Sequence, residues 1–446
     1  MSKSQERIDM GKANMRTAFY DELTGLPRLS LLKNILSEYI RTNSCSQTAG
    51  EDKFALAYLD INQFQYMNET YGYKVCDEVI KCVADYLNSK IQLPNYVCRI
   101  ASDKFAILFT EVSSDEQLCE TVGDVINNGC NISISDHIFY ITMSAGIAFY
   151  PEHGSDITTL MKKAEVANYF AKKSEKDIKI YSDELQKDIV EQVQMINRLQ
   201  HSIEKEEFVL FYQPEFNLIT NEIIGVEALV RWPQPIGGYI SPDIFIPLAE
   251  RSKQIYLLER WIVNKALQQK EQWEREGFGH IELSINLSSR TLESEVNFQK
   301  IEEIISSYNV NYSQIVFEIT ETVILSQVNM AIERLNRLRS FGIRIALDDF
   351  GTGYSSLTHI MKLPIDIIKI DRSFIKSVPY GNEETAITQN MIALAHDLNY
   401  RVVAEGIETQ EQLDFLKQIS CERGQGYLLC KPLPSEQLSE ILDIRL

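Results

Sequence analysis

The sequence predicts two α/β folds in series. The first is a compact α/β sandwich, and the second is a (β/α)8 TIM-like barrel. Three observations carry this. A chain of 446 residues is too long for one ordinary core. In its first part a few strand-like runs ("FALAYLDI", "VCRIA", "KFAILF", "FYITMSAGIAFY") are interspersed with helical ones ("GYKVCDEVIKCVADYLNSKI", "LMKKAEVANYFAKK"). In its second part strand-like runs recur regularly, and most neighbouring pairs are separated by a helical segment.

In chain order, residues 1–17 form an N-terminal helical segment with no apolar core of signal-peptide length. Residues 18–181 form the first domain, whose stretch "CRIASDKFAILF" reads as a hairpin around the polar turn 101–104. Residues 182–207 contain no Gly or Pro, and Leu185, Ile189, Val193, Ile196, Leu199 and Ile203 recur at three- and four-residue steps. That spacing predicts an amphipathic linker helix. Residues 208–446 supply eight strand-like runs: "FVLFYQP", "IIGVEALVRW", "IELSINLS", "IVFEIT", "IRIALDDF", "IDIIKID", "RVVAEGIE" and "GQGYLL".

Composition narrows the function. A net charge of −19 argues against a duplex-binding protein, which needs clustered Lys and Arg. It leaves room for a phosphate-bearing ligand held through divalent cations. The eight Cys include no Cys-x-x-Cys pair, and no run of about eighteen apolar residues encodes a membrane span. The expectation is a soluble cytoplasmic protein with reduced thiols.

The chemistry lies where the second domain's strands end. A buried parallel strand is ordinarily a plain apolar run. Here the runs end in Glu227, Asn286, Glu318, Asp348 with Asp349, Lys369 and Glu405. A barrel gathers the C-terminal ends of its strands at one rim, so five carboxylates, an amide and a lysine converge there. Uncompensated, the carboxylates repel one another and raise each other's pKa. Oxygen donors without His or Cys call for hard ions, Mg2+ or Mn2+.

"EALVRW" at 227–232 resembles the signature of the EAL family, phosphodiesterases of cyclic di-GMP. "SINLS", "FEITET", "ALDDFGTGYSSL", "IKIDRSF", "VAEGIET" and "GQGYLLCKPLP" extend the resemblance in order and spacing. It implies two metal ions on Glu227, Asn286, Glu318, Asp348 and Asp349, with Glu405, Lys369 and Gln425 completing the catalytic set. It also implies that Arg231 grips a ligand phosphate, that Leu229 and Asp371 face the substrate, and that Glu321 steadies the "DDFGTGYSS" loop. Two ions about 3.5–4 Å apart activate water and polarise the phosphoryl oxygens. Lys369 either adds positive charge near the phosphate or orients the water. The expected product is linear pGpG, and a homodimer is expected from the family.

The first domain resembles the GGDEF family of diguanylate cyclases through "DELTGLP", "LDINQFQYMNETYGYKVCDEVI" and "SAGIAFYPEHGSD", and the resemblance implies a compact cyclase-like α/β domain with a mostly antiparallel central sheet and flanking helices. Its critical hairpin departs from the family's Arg-x-Gly-Gly-Asp/Glu-Glu-Phe. Ala101 and Ser102 replace the glycines, where a Cβ obstructs close approach and positive φ, and Lys104 replaces the second acid. Asn62 and Gln65 replace a usual Asp and Lys, and "QLPN" replaces the product-inhibition motif. The cyclase is therefore expected to be inactive. Asp60, Asn68, Asp77, Asp103 and Lys172 match positions through which GTP would bind as an allosteric ligand; the alternative is a dimerisation or spacing module. For the barrel, the alternative to an enzyme is a non-catalytic cyclic di-GMP receptor, which the loss of metal ligands would mark; the complete set argues for hydrolysis.

Overall fold

The computed structural model describes residues 18–43, 53–127, 130–134, 137–174, 176–321, 328–351 and 360–444. The N-terminal helical segment expected at 1–17 and residues 352–356 of the "DDFGTGYSS" loop lie outside them. The chain divides into two compact units, Met1–Glu191 and Gln192–Leu446.

The first unit contains α1 (Leu29–Asn43), β1 (Phe54–Ile61), α2 (Phe64–Lys90), β2 (Tyr96–Ala101), β3 (Lys104–Phe109) and α3 (Asp115–Asn127). It continues with β4 (Cys130–Ile134), β5 (His137–Ile141), β6 (Met143–Tyr150), α4 (Ile157–Lys173) and β7 (Ile178–Ile180). The sheet order is β2-β3-β1-β6-β7, antiparallel except for the β6–β7 pair. β1 is buried along its whole length because both its faces are covered. Ala55, Ala57, Leu59 and Ile61 join the core under α2 and α3, while Phe54, Leu56 and Tyr58 join the one under α1 and α4. Gly146 permits the closest approach, since a Cβ there would lie 2.0 Å from the Ala164 carbonyl oxygen. The run "FYITMSAGIAFY" is not one strand. It breaks at Thr142, and β5 pairs with β4 in a separate hairpin.

The turn between β2 and β3 corrects one expectation. Ser102 adopts φ +44° despite its Cβ. Arg99 holds the turn there, donating from Nε (3.1 Å) and Nη2 (2.9 Å) to the Ser102 carbonyl while Nη1 pairs with Asp21 at 2.8 Å. The left-handed turn therefore survives the loss of glycine, and only the obstruction of close approach remains.

α5 (Asp183–Glu204) runs across the boundary between the units. Leu185 packs with Tyr181 and Ala167, Leu199 and Ile203 join the second unit's core, and Val193 between them is half exposed.

The second unit contains β8 (Val209–Asn217), β9 (Ile223–Pro233), β10 (Tyr239–Ile240), α6 (Pro242–Arg251), α7 (Ile255–Arg275), β11 (Glu282–Asn286), α8 (Ser289–Glu293) and α9 (Glu295–Ser306). After these come β12 (Ile315–Thr320), α10 (Val328–Ser340), β13 (Arg344–Phe350), β14 (Ile367–Ile370), α11 (Arg372–Ile375), α12 (Asn382–Asp397), β15 (Arg401–Ala404), α13 (Gln410–Gln418), β16 (Arg423–Gly424) and α14 (Ser435–Ile444). The order β9-β11-β12-β13-β14-β15-β16-β8 closes through a β8–β9 pairing into an eight-stranded TIM-like barrel. β8 runs antiparallel to both neighbours, because a tight turn rather than a helix joins it to β9. Of the run "GQGYLL" only Gly424 lies in a strand, the two-residue β16. Gly426 lets the chain cross Ile407, whose backbone N and O would lie 2.2 Å from a Cβ.

Strand alternation sorts the barrel interior into layers. Val316, Ala346, Ile367 and Val403 form a small apolar cluster of their own. Leu283, Ile285, Phe317, Ile345, Leu347, Ile368 and Val402 belong to the main core with the surrounding helices. Two residues before the inner layer, Glu282 pairs with Arg344 (2.7 Å) and Arg423 (2.7 Å), and Arg423 reaches Glu215 (3.0 Å). Two residues after it come Glu318, Asp348, Lys369 and Glu405, at the C-terminal rim.

Candidate active site

Lys369 stands at the centre of the rim, on β14 and 2% exposed. Its Nζ lies 2.6 Å from Glu405 Oε1, 2.9 Å from Glu318 Oε2, 3.2 Å from Glu227 Oε2 and 3.8 Å from Asp348 Oδ1. Gln425 Nε2 donates to Glu227 Oε2 (2.8 Å) and Glu405 Oε1 (3.0 Å), and Asn286 Nδ2 donates to Glu227 Oε1 (2.9 Å). Backbone bonds beyond the strand ends fix two of these residues: Glu405 N–H donates to the Ile370 carbonyl (3.1 Å) and Gln425 N–H to that of Ala404 (2.9 Å).

The consecutive pair Asp348–Asp349 would face opposite ways in a regular strand. The β13–β14 register shifts between Leu347 and Phe350, and Asp349 takes φ +56°. Such a bulge re-aims a side chain beside a site. Burial first, then the nearby Asp348 and Asp371 carboxylates, push Asp349 up to about 6.

The charges do not balance. Burial works against the Lys369 ammonium, but Asp348, Glu227, Glu318 and Glu405 outweigh it and hold the lysine well above its ordinary pKa. Burial also opposes ionisation of Glu227, yet Lys369, Gln425 and Asn286 keep its carboxyl below the usual value. The remaining acids stay raised: Glu318 by burial and Glu227, Asp348 by burial despite Lys369, and Glu405 by burial to about 8.

Among the described residues, no three His, Cys, Asp or Glu side chains close on a common point; the acids surround Lys369 instead. The donor set nevertheless suits hard divalent cations. Every donor is a carboxylate or amide oxygen, negative charge is in surplus, and Asp348 Oδ1 is buried with no hydrogen-bond partner.

Around this centre, Glu321 Oε2 accepts from Gly351 N–H at 3.3 Å, at the start of the "DDFGTGYSS" loop. Arg231 lies four residues beyond Glu227 on the same alternating face of β9. Its guanidinium is 5.7 Å from the Phe211 ring centroid, and Nη1 donates to the Val230 carbonyl. Leu229 is half-buried between them in sequence, and Asp371 caps α11 by accepting from Ser373 N–H (2.9 Å). The structure thus brings together Glu227, Asn286, Glu318, Asp348, Asp349, Lys369, Glu405 and Gln425.

In the first unit, Lys172 Nζ pairs with Asp60 Oδ1 at 2.7 Å. Lys104, opposite Asp60 in the β1–β3 register, lies 3.7 Å from Glu165 Oε1, which also accepts from the Tyr58 hydroxyl. Asn68 Oδ1 is buried without a partner, and Asp77 is exposed.

Sequence reasoning missed Glu165, Phe211 and Glu259. Glu259 left a signal: it falls on the buried stripe of α7 with Ile255, Ile262 and Ala266, where an isolated carboxylate demands a partner.

Residues 196–432 match the EAL domain family, and residues 18–177 match the diguanylate cyclase GGDEF domain family. The chain is similar to the bifunctional diguanylate cyclase/cyclic di-GMP phosphodiesterase MucR of Pseudomonas aeruginosa, at 32% identity over 95% of this chain and 62% of that one. It is similar to the cyclic di-GMP phosphodiesterase NbdA of the same organism, at 30% identity over 98% of this chain and 55% of that one. The chain therefore spans only part of the length of these relatives. A solved structure described as the PaMucR phosphodiesterase in complex with c-di-GMP matches 55% of this chain and 99% of its own, at 35% identity and a TM-score of 0.53.

Proposed function

The chain belongs to the EAL domain family, with a GGDEF domain ahead of the EAL domain, and from that premise we propose that its barrel hydrolyses cyclic di-GMP to linear pGpG. The observation that carries the reading is Lys369 ringed by Glu227, Glu318, Asp348 and Glu405 at the C-terminal rim, with negative charge left over. Glu227, Asn286, Glu318, Asp348 and Asp349 would hold two Mg2+ or Mn2+ ions. When bound, such ions neutralise the carboxylates, polarise phosphoryl oxygens and lower the pKa of water.

The chain's own groups do the rest. Gln425 and Asn286 fix the Glu227 carboxylate from two sides. Lys369 keeps a permanent positive charge at the floor of the mouth, where it favours charge developing on phosphorus oxygens or orients the incoming water. Arg231 presents a planar fork to a phosphate, steadied against Phe211. Leu229 and Asp371 border the substrate, and Glu321 holds the start of the 350s loop through Gly351. Water adds its oxygen to one phosphorus, the P–O3′ bond breaks, and the 3′ oxygen leaves with a proton. One of the two phosphodiester bonds is cut.

The same reading makes the first unit a catalytically inactive, regulatory module. Its pairs Lys172–Asp60 and Lys104–Glu165 place ammonium groups where a cyclase must gather cations, which opposes a metal-assisted attack by a ribose hydroxyl. Asn68 leaves an acceptor free for a guanine donor, in keeping with GTP as an allosteric ligand.

The test is product analysis after incubation with cyclic di-GMP and Mg2+, with and without GTP. Linear pGpG, absent with Glu227→Ala, supports hydrolysis. Binding of cyclic di-GMP with no product would make the barrel a receptor. Faster turnover with GTP would support nucleotide sensing by the first unit.

A further inference from the structure

We propose that Glu259, on α7 outside the barrel, is a positioning residue that sets the direction of the Asn286 amide at the site. The inference rests on the metal-site reading above. Glu259 is 3% exposed, and among the described residues no cation pairs with it. Its carboxylate is spent on the chain just past Asn286. Oε1 accepts from Ser288 N–H at 2.6 Å, and Oε2 accepts from the hydroxyl of Thr291, itself 1% exposed.

These contacts complete a frame around three consecutive residues. Asn286 stands opposite Glu318 in the β11–β12 register, and Leu287 N–H donates to the Glu318 carbonyl at 2.8 Å. Ser288 N–H goes to Glu259, and Ser288 then caps α8 by accepting from Thr291 N–H at 3.3 Å. β12 therefore fixes the strand side of Asn286, and Glu259 fixes the point at which the chain turns into α8. Between those anchors Asn286 Nδ2 reaches Glu227 Oε1, which leaves the amide carbonyl as its oxygen donor. Without Glu259 the turn loses two of its bonds, and the amide loses its aim. A buried carboxylate with no cation partner is a costly way to hold a loop. That cost makes sense where the loop must be fixed within a fraction of an ångström.

The experiment is Mn2+ binding to the full chain by calorimetry without substrate, so that turnover is not the readout. Glu259→Ala is expected to weaken Mn2+ about tenfold or more, as loss of a supporting hydrogen bond typically does. Glu259→Gln keeps the carbonyl for Ser288 N–H and an amide to face the Thr291 oxygen, and is expected to recover most of the affinity. Thr291→Val, which removes one of the two anchors and fills the same space, should show a smaller loss in the same direction. It also carries the test if Glu259→Ala does not fold. Wild-type affinity in a folded Glu259→Ala or Thr291→Val, or a Gln variant as weak as the Ala variant, overturns the proposal. Glu227→Ala is the reference. If it too binds Mn2+ like the wild type, the metal-site reading falls and takes this inference with it. If it alone loses binding, only the role of Glu259 is refuted.

Discussion

Lys369 Nζ lies 2.9 Å from Glu318 Oε2, and the two side chains are 2% and 1% exposed. Burial and Glu227 push Glu318 toward its neutral form, so the unsolvated ammonium depends on Glu227, 3.2 Å away, whose carboxylate it keeps ionised in turn. Breaking a buried pair by removing one partner typically costs about 3–5 kcal/mol. Lys369→Met would also leave Glu227, Asp348 and Glu405 unscreened. The variant should melt well below the wild type in chelator and gain more than the wild type from added Mg2+. Its hydrolysis rate should fall about a hundredfold or more. An unchanged melting temperature in chelator would mean that the lysine is not holding the acids.

Arg231 should behave differently. It stands off from the buried cluster, half-buried against Phe211, and its proposed partner is a phosphate of the ground-state ligand. A hydrogen bond to a charged group contributes about 1.5–3 kcal/mol, so Arg231→Ala should raise KM about ten- to hundredfold while kcat changes little. Steady-state kinetics separate the two. A fall in kcat at unchanged KM would place Arg231 in the transition state instead.

The rim was legible because a polar residue at the end of an apolar strand is expensive unless something needs it. Glu318, Asp348, Lys369 and Glu405 each lie within two residues of the end of such a run, whereas Glu227 falls in mid-strand, six residues before the end of β9 at Pro233, and alternation puts all five on the inner face. What escaped was set by tertiary contacts. The antiparallel entry of β8 depends on a tight turn that looks like any other loop. The aim of Asp349 depends on a bulge, and the composition of "LDDF" does not announce one. Glu259 lies inside a helical pattern whose charged positions are usually solvated, and only its place on the buried stripe gives it away.

Glu259 also carries a pH signature. Burial raises its carboxyl from near 4.5 to about 7, outweighing the donors from Thr291 and Ser288, while the Glu250 carboxylate on α6 adds to the rise. Between those values the folded chain binds more protons than the unfolded chain, so this group's contribution to stability falls as pH rises through that window. The Gln side chain has no such dependence. In chelator, Glu259→Gln should lose less stability than the wild type between pH 5 and pH 8, by an amount of order 1–3 kcal/mol. Urea unfolding at the two pH values measures it, and comparison with the wild type cancels the acids of the mouth. Equal losses in both proteins would contradict a raised Glu259.

Ser102 and Lys104 make separable predictions for the hairpin of the first unit. Ser102 sits at φ +44°, a conformation that costs an L-residue about 1–2 kcal/mol and glycine little. Ser102→Gly gains flexibility in the unfolded chain as well, so the net stabilisation should be smaller, about 0.5–1 kcal/mol, read from the urea midpoint. Lys104→Glu should restore no cyclase. It removes the cation near Glu165 and adds an acid, but Lys172 still pairs with Asp60 and the Ala101 and Ser102 side chains still obstruct the turn. Incubation of the wild type and this variant with GTP and Mg2+ should yield no cyclic di-GMP. If the wild type makes it, the paired lysines do not silence the site; if only Lys104→Glu makes it, Lys104 alone was the lock and the lost glycines were immaterial.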